Sequence, residues 1–265
     1  KFSKYFSEME HELVKINDFK VFEILEKIIN FLGEPFADAS IIPLYSLYSS
    51  LPKSSKVVLQ GDGGDELFGG YNRYLTFEIL NKFPKIYNLE NFTKRLVRNH
   101  RLQRIIYLTS LQDEELYKNI MTTDFKFLNT ISFFKNYFIN KNININNNLG
   151  YTYARDFKIS TNSNQKAKLS EIDFINQLPN QFLYKVDRTS MICGVEARVP
   201  LVDMRIINFV SSIDPKIRFR ANPQKRFFRD SVDIPRRFKN IPKKGFGTPI
   251  SNWLVNSNSY LRESL

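Results

Sequence analysis

Apolar side chains recur along the chain at two spacings, and the alternation between them predicts the order of its elements. Leu13 to Ile16 is a short apolar run that reads as a strand, and Asn17 or Asp18 follows as a helix opener. Val21, Ile24, Leu25, Ile28 and Leu32 then fall three and four residues apart, one face of a helix that Gly33 and Pro35 stop. After GEPFADAS, Pro43 suits a first helical position, and Leu44, Leu47, Tyr48 and Leu51 carry that helix toward Pro52. Lys56 to Gln60 is short, β-branched and bounded by turn residues, the pattern of a buried parallel strand. Strands alternating with helices predict an α/β fold with a parallel sheet, in which ligands bind at the carboxyl ends of the strands.

From Asp65 onward the spacing is almost wholly helical. Lys94, Arg95, Arg98, Arg101 and Arg104 read as a solvated basic face, and Asn136 to Asn148 as a low-complexity surface loop. Ser170 with Asp173 has the form of a capping box ahead of Phe174 and Leu178. Pro179 is expected to break that helix, after which Gln181 to Cys193 and Met204 to Ile213 form two more. Near the end, Lys243 and Lys244 stand in a loop bracketed by Pro242, Gly245, Gly247 and Pro249, ahead of a short helix with Trp253. No segment repeats another.

Composition narrows the picture modestly. At 265 residues and 42% hydrophobic, the chain is globular and large enough for one large domain or two modest ones. Lys and Arg number 39 against 27 Asp and Glu, a formal +12, which suits an anionic substrate, a nucleic-acid surface or simply a solvated basic exterior. No helix-turn-helix, zinc or aromatic RNA-binding signature accompanies the charge, so a basic nucleic-acid-binding module is the weaker reading. Cys193 is the only cysteine, which excludes an intrachain disulfide and a zinc cluster. Neither it nor His11 sits in a nucleophile motif. No apolar run approaches the roughly 20 residues that span a bilayer, and KFSKYFSEMEHE is not a signal peptide. A soluble, cytoplasmic protein without a membrane partner is expected.

The candidate chemistry concentrates in Val57 to Tyr74, VVLQGDGGDELFGGYNRY. Here the strand runs into Gly61, Gly63 and Gly64, which allow positive φ and close backbone approach, and Asp65 reads as the N-cap of a helix carrying Glu66, Leu67 and Phe68. Backbone N–H groups at such a helix start can face a phosphate. Asp62, Asp65 and Glu66 would repel bare phosphate, so a hard cation, above all Mg²⁺, is the natural intermediary. The competing reading is a plain glycine-rich turn with a capping Asp, since such motifs alone are weak signals.

Three segments, LQGDGGDELFGGYNRY, LYKVDRTSMICGVEARVPLVD and IPKKGFGTPISNWL, resemble in order, spacing and wording the synthetase domain of the glutamine-dependent asparagine synthetases. GEPFADASIIPLY resembles the stretch before that family's acidic loop, and the resemblance covers nearly the whole chain apart from the region around Lys94 to Asn164. It implies a partial parallel-sheet, nucleotide-binding core of the adenine nucleotide alpha hydrolase-like (PP-loop) kind, followed by a largely α-helical region. Residues 1–265 would be the C-terminal part of that domain, with 136–148 a loop inside it. The implied substrates are ATP, aspartate and ammonia. ATP converts the aspartate side-chain carboxylate to an acyl-adenylate with release of pyrophosphate, and ammonia then gives asparagine and AMP. A carboxylate oxygen must approach an α-phosphate that is itself negative, so Mg²⁺ and cationic side chains have to neutralise the growing charge.

Position by position, the resemblance implies main-chain contacts to the nucleotide from Gln60, where the family usually has Ser or another small residue, and from Gly61 and Gly63. Asp62 matches an acidic position implicated in forming the adenylate, often Glu in relatives, and Asp65 would hold Mg²⁺ and pyrophosphate. Glu66 is either a second metal carboxylate or a first-turn acid favoured by the helix dipole. Lys243 matches the lysine that stabilises charge at the α-phosphate, with Lys244 the adjacent alternative, and a lysine delivers a compact charge on a flexible stem from such a loop. Lys185, Asp187 and Arg188 lie on one helix and are open to substrate binding or to structural pairing, whereas Glu196 and Arg198 read as a buried structural pair.

Two parts of the family pattern do not occur in these residues: the N-terminal catalytic cysteine of the glutaminase domain, and the Ser-Gly-Gly-x-Asp-Ser loop that grips pyrophosphate through backbone N–H groups. With no initiating Met, the chain is expected to be a C-terminal piece of a longer polypeptide whose glutaminase domain is its missing partner, and to have little synthetase activity alone. The rival within the same chemistry is an amide ligase acting on another carboxylate, such as a sugar acid or a ring-closing amino acid.

Overall fold

The computed structural model of the chain describes residues 10–16, 20–34, 36, 38–82, 100–121, 157–158, 160, 163–220, 224–241, 247–249 and 253. Its elements run α1 (Val21–Leu32), α2 (Ile41–Ser49), β1 (Val57–Leu59), α3 (Gly64–Phe68), α4 (Asn72–Lys82), α5 (His100–Thr109), α6 (Asp113–Met121) and α7 (Gln165–Ile175). A π-helical turn (Leu178–Leu183) leads into α8 (Tyr184–Ile192), and β2 (Glu196–Arg198) follows. Then come a 3-10 turn (Pro200–Val202), α9 (Met204–Ser211), α10 (Pro215–Arg218), α11 (Arg226–Ser231) and α12 (Arg236–Lys239). The described residues within 1–62, 178–203 and 243–265 form one compact unit, and those within 63–177 and 204–242 form a second.

The first unit holds the sheet, two parallel strands in register Val57↔Glu196, Val58↔Ala197 and Leu59↔Arg198. The fold is α/β in that sense, mostly helical with a small parallel sheet. β1 is not buried as its composition predicts: Val57 is 43% and Leu59 74% exposed. β2 was illegible in advance, because GVEARVP alternates charged and small residues with no apolar run. α1 presents the expected face, with Val21 and Ile28 buried against Ile41, Ile42 and Tyr45 of α2, and Trp253 completes that core. Gly33 ends α1, its N–H donating to the Ile29 carbonyl at 2.9 Å. Asn17 and Asp18 lie outside the described residues, and Lys20, just before α1, makes no side-chain cap. The strand expected at Leu13 to Ile16 does not form; Leu13 is 72% exposed, and among the described residues the segment has no strand beside it to complete a ladder. α2 starts two residues before Pro43, which still falls in the first turn where its missing N–H costs nothing.

The second unit is helical. α4, α6 and α7 enclose a core of Tyr74, Phe77, Leu116, Tyr117, Leu169 and Ile172, with Leu80, Leu108 and Phe157 adding to it. Aromatic edges meet faces there: Phe77 and Tyr117 lie 6.3 Å apart at 90°. The capping-box reading of Ser170 and Asp173 fails, because α7 begins earlier, with Asn164 Oδ1 accepting from the Ala167 N–H at 3.1 Å. Ser170 and Asp173 are buried mid-helix, where they make tertiary hydrogen bonds. As expected, the helix ahead of Pro179 ends, at Ile175, and another follows; Pro179 falls in the π-helical turn Leu178–Leu183, which runs directly into α8. The low-complexity stretch 136–148 and the basic residues Lys94, Arg95 and Arg98 lie outside the described residues. No helix among the described residues is long and apolar enough to cross a membrane.

Candidate active site

β1 carries the first part of the acidic loop within the first unit. The Gln60 N–H donates to the Arg198 carbonyl at 2.8 Å, so the ladder extends one residue past the strand. The Gln60 side chain turns to α2, where its Nε2 donates to the Tyr48 hydroxyl at 2.6 Å. Tyr48 is 2% exposed; burial pushes its hydroxyl up to about 12, and the charge of Asp62 acts in the same sense. Gly61 is exposed with nothing within 4 Å of where a Cβ would stand, and Asp62 is half-buried. The loop is thus open at the carboxyl end of β1, where a parallel sheet binds ligands.

α8 lies in the same unit, and its charged residues divide cleanly. Lys185 is buried and donates to Asp38 Oδ2 and Ser40 Oγ, both at 2.6 Å. Burial pushes the Asp38 carboxyl up, but hydrogen bonds from Lys185 and Ser40 outweigh it and hold the group below the ordinary carboxylate value. Lys185 therefore pairs structurally, between α8 and the segment ahead of α2. Asp187 and Arg188 are exposed, the guanidinium lying 5.4 Å from the Tyr184 ring. Glu196 and Arg198 do pair, at 2.7 Å, but not as a buried couple: their side chains are 58% and 60% exposed, adjacent on one face of β2.

The rest of the loop belongs to the second unit. Gly63 has φ +83°, a conformation that a side chain would strain, and its carbonyl accepts the Leu67 N–H at 2.9 Å to start α3. Gly63 is the N-cap, which corrects the expected cap at Asp65; Asp65 sits inside the first turn. Its Oδ1 lies 2.8 Å from Lys225 Nζ, a partner the sequence did not suggest. Lys225 adopts φ +58°, uncommon for a residue with a Cβ, directly ahead of α11. Gly70 makes room for the pair, since a Cβ there would stand 1.7 Å from Asp65 Oδ1 and 2.5 Å from Lys225 Cε.

Glu66 is enclosed, 1% exposed. Its Oε1 accepts from the Tyr71 hydroxyl at 2.5 Å, and its carbonyl accepts from Ser170 Oγ. Burial raises its carboxyl above the ordinary range, against the opposing effect of the Tyr71 bond. Asp62 and Asp65 are the acids with partial access to solvent. Mg²⁺ is commonly held through one or two carboxylates, with substrate phosphates and water completing its shell. Among the described residues no three His, Cys, Asp or Glu side chains cluster as a protein-only metal cage. Asp65, a hard oxygen donor on a first helical turn, fits the one-carboxylate mode. Lys243 and Lys244 lie outside the described residues; beyond them Trp253 is 4% exposed, its N–H donating to the Pro249 carbonyl at 3.0 Å.

The family model for asparagine synthase matches residues 5–265. The chain belongs to the asparagine synthase family. Among its relatives, asparagine synthetase (glutamine-hydrolysing) 1 of Bacillus subtilis is 27% identical over 90% of this chain and 38% of its own length. A protein of Mycobacterium tuberculosis provisionally named asparagine synthetase (glutamine-hydrolysing) is 26% identical over 87% of this chain and 35% of its own length. Another of that provisional name, from Methanocaldococcus jannaschii, is 29% identical over 71% of the chain and 36% of its own length. The chain thus spans little more than a third of the length of these relatives. No solved structure matches it.

Proposed function

We propose that this chain supplies part of a site that activates the side-chain carboxylate of aspartate with Mg-ATP and passes it to ammonia, giving asparagine, AMP and pyrophosphate. The observation that carries the reading is the acidic glycine loop at the carboxyl end of a parallel strand, in a chain of this family. Asp62 is assigned to adenylate formation, with main-chain groups of Gln60, Gly61 and Gly63 meeting the nucleotide. Asp65 is assigned to the metal, and Glu66, the less accessible of the two metal candidates, stands behind it. Bound Mg²⁺ would offset charge on the phosphate oxygens. Lys225, 2.8 Å from Asp65 Oδ1, is assigned to orienting that carboxylate, which would lower the cost of organising the site when ligand arrives. Lys243, with Lys244 beside it, is assigned to the charge that grows at the α-phosphate.

A PP-loop nucleotide-binding core, residues 1–265 as its C-terminal part, and a glutaminase domain as partner belong to the same proposal. So does little or no activity of the 265-residue chain alone. The test measures aspartate-dependent pyrophosphate release from Mg-ATP and ammonia, on this chain alone and joined to the additional length its relatives possess. The joined form is expected to release pyrophosphate and form asparagine, with Asp62→Asn and Lys243→Met each lowering the rate on the order of 100-fold or more. Release driven by another acid in a panel, with aspartate inert, would replace the acceptor. Unchanged rates in both variants would remove the assigned roles.

A further inference from the structure

One pocket of the second unit is lined by none of the residues assigned to that reaction. In the second unit α3, α7 and α9 border a half-open pocket of about 410 Å³ whose apolar side chains are Leu67, Phe174, Ile175 and Ile207. Ser170, Glu171, Ser211 and Arg218, at the end of α10, complete the lining. Arg218 is only 8% exposed. Its Nη1 donates to the Val210 carbonyl at 3.2 Å and its guanidinium lies 4.4 Å from the Phe219 ring centre, yet its Nε makes no hydrogen bond. Among the described residues no carboxylate stands within ion-pair distance of it. Glu171 instead accepts from Ser160 at 2.7 Å.

A guanidinium carries five donors, and burying it without an anion is among the more costly arrangements a protein can hold. Burial does push Arg218 below the ordinary arginine value, with the charge of Glu171 offsetting part of the effect. The arginine lines a cavity large enough for a small organic molecule. We infer that this cavity is a binding site for a small carboxylate with an apolar body, its two oxygens on the Arg218 guanidinium and its hydrocarbon part against Leu67, Phe174, Ile175 and Ile207. The planar fork of arginine matches a carboxylate in two parallel hydrogen bonds. The apolar side chains favour an anion with a hydrocarbon body over a strongly hydrated one, and Glu171 in the lining disfavours a multiply charged phosphate.

The test is thermal unfolding of the 265-residue chain with sodium phenylacetate as the probe, against sodium chloride of equal ionic strength and against neutral phenylacetamide. At about ten times its dissociation constant phenylacetate should raise Tm by about 3 °C, and the two controls should not. Arg218→Met should abolish the rise while leaving Tm of the ligand-free protein unchanged or higher, because it removes a buried charge that has no counter-ion. Arg218→Lys keeps the charge, loses the fork, and should weaken phenylacetate at least about tenfold; it serves also if the methionine variant does not fold. The inference fails if phenylacetate raises Tm no more than chloride, or if the rise survives in either variant. It fails equally if Arg218→Met and Glu171→Gln lower Tm by the same amount, since the arginine would then serve Glu171.

Discussion

Lys185 and Asp38 show what a single side chain can decide. A lysine two residues from an aspartate on an exposed helix is ambiguous on paper, but Lys185 is buried and meets Asp38 and Ser40 at 2.6 Å, so its charge stabilises the fold. The folded-state carboxyl of Asp38 lies below its unfolded value, so the stabilisation is complete above the ordinary carboxylate range and is lost as pH falls through the folded value. Asp38→Asn should therefore lower stability by on the order of 2–3 kcal/mol at pH 7. The gap to the unsubstituted protein should narrow below about pH 4, where that protein loses the same interaction; urea unfolding across pH 3 to 8 checks both statements. Gly70 makes a sharper point about the site. A methyl there collides with the ends of the Asp65 and Lys225 side chains, not with backbone, so the pair must give way. Gly70→Ala should cost only about 1–2 kcal/mol of stability, while in an active, longer form it should lower pyrophosphate release at least about tenfold. A loss of stability without loss of rate would separate the pair from the reaction.

At the scale of elements, α7 is the tie that holds the acidic helix in the second unit. Ser170 meets the Glu66 carbonyl, and Asp173 Oδ2 accepts from Arg73 Nη2 at 2.7 Å and from the Tyr74 hydroxyl at 2.6 Å, which joins α7 to both α3 and α4. These two residues were misread from sequence as a cap because Ser and an acid three residues apart satisfy the local pattern, and nothing local tells a helix start from two polar residues aimed at neighbouring helices. The true cap, Asn164, precedes a polar run with no apolar periodicity to mark it. Asn164→Ala should cost about 1 kcal/mol and fray the first turn of α7, read as a lower urea midpoint with an unchanged m-value. Long, periodic α1 was legible, because five apolar residues at helical spacing and a terminal glycine all agree. β2 was not, since three residues paired across more than a hundred positions leave no local signature.

The whole molecule repeats that lesson. The order and wording of three separated motifs identified the family, while the geometry around them was largely hidden: Lys225 pairs with Asp65 across 160 positions of sequence, through a backbone conformation that a lysine seldom adopts. Both compact units are discontinuous in sequence, the chain passing between them after Asp62, Gln177, Asp203 and Pro242, and no local pattern announces such exchanges. The sheet carries the last consequence. Parallel sheets are ordinarily covered on both faces and rarely stand as two strands, yet among the described residues there are two, of three residues each, with Leu59 74% and Val57 43% exposed. An apolar strand of this kind is sticky toward any chain that can cover it. In the 265-residue chain Leu59→Lys should therefore change stability by no more than about 0.5 kcal/mol, because it removes no buried contact, while reducing self-association in sedimentation velocity. Joined to the additional length found in the relatives, the same substitution is expected to destabilise by about 2 kcal/mol if that length covers the sheet. Equal, small effects in both forms would mean that Leu59 faces solvent in the complete molecule as well.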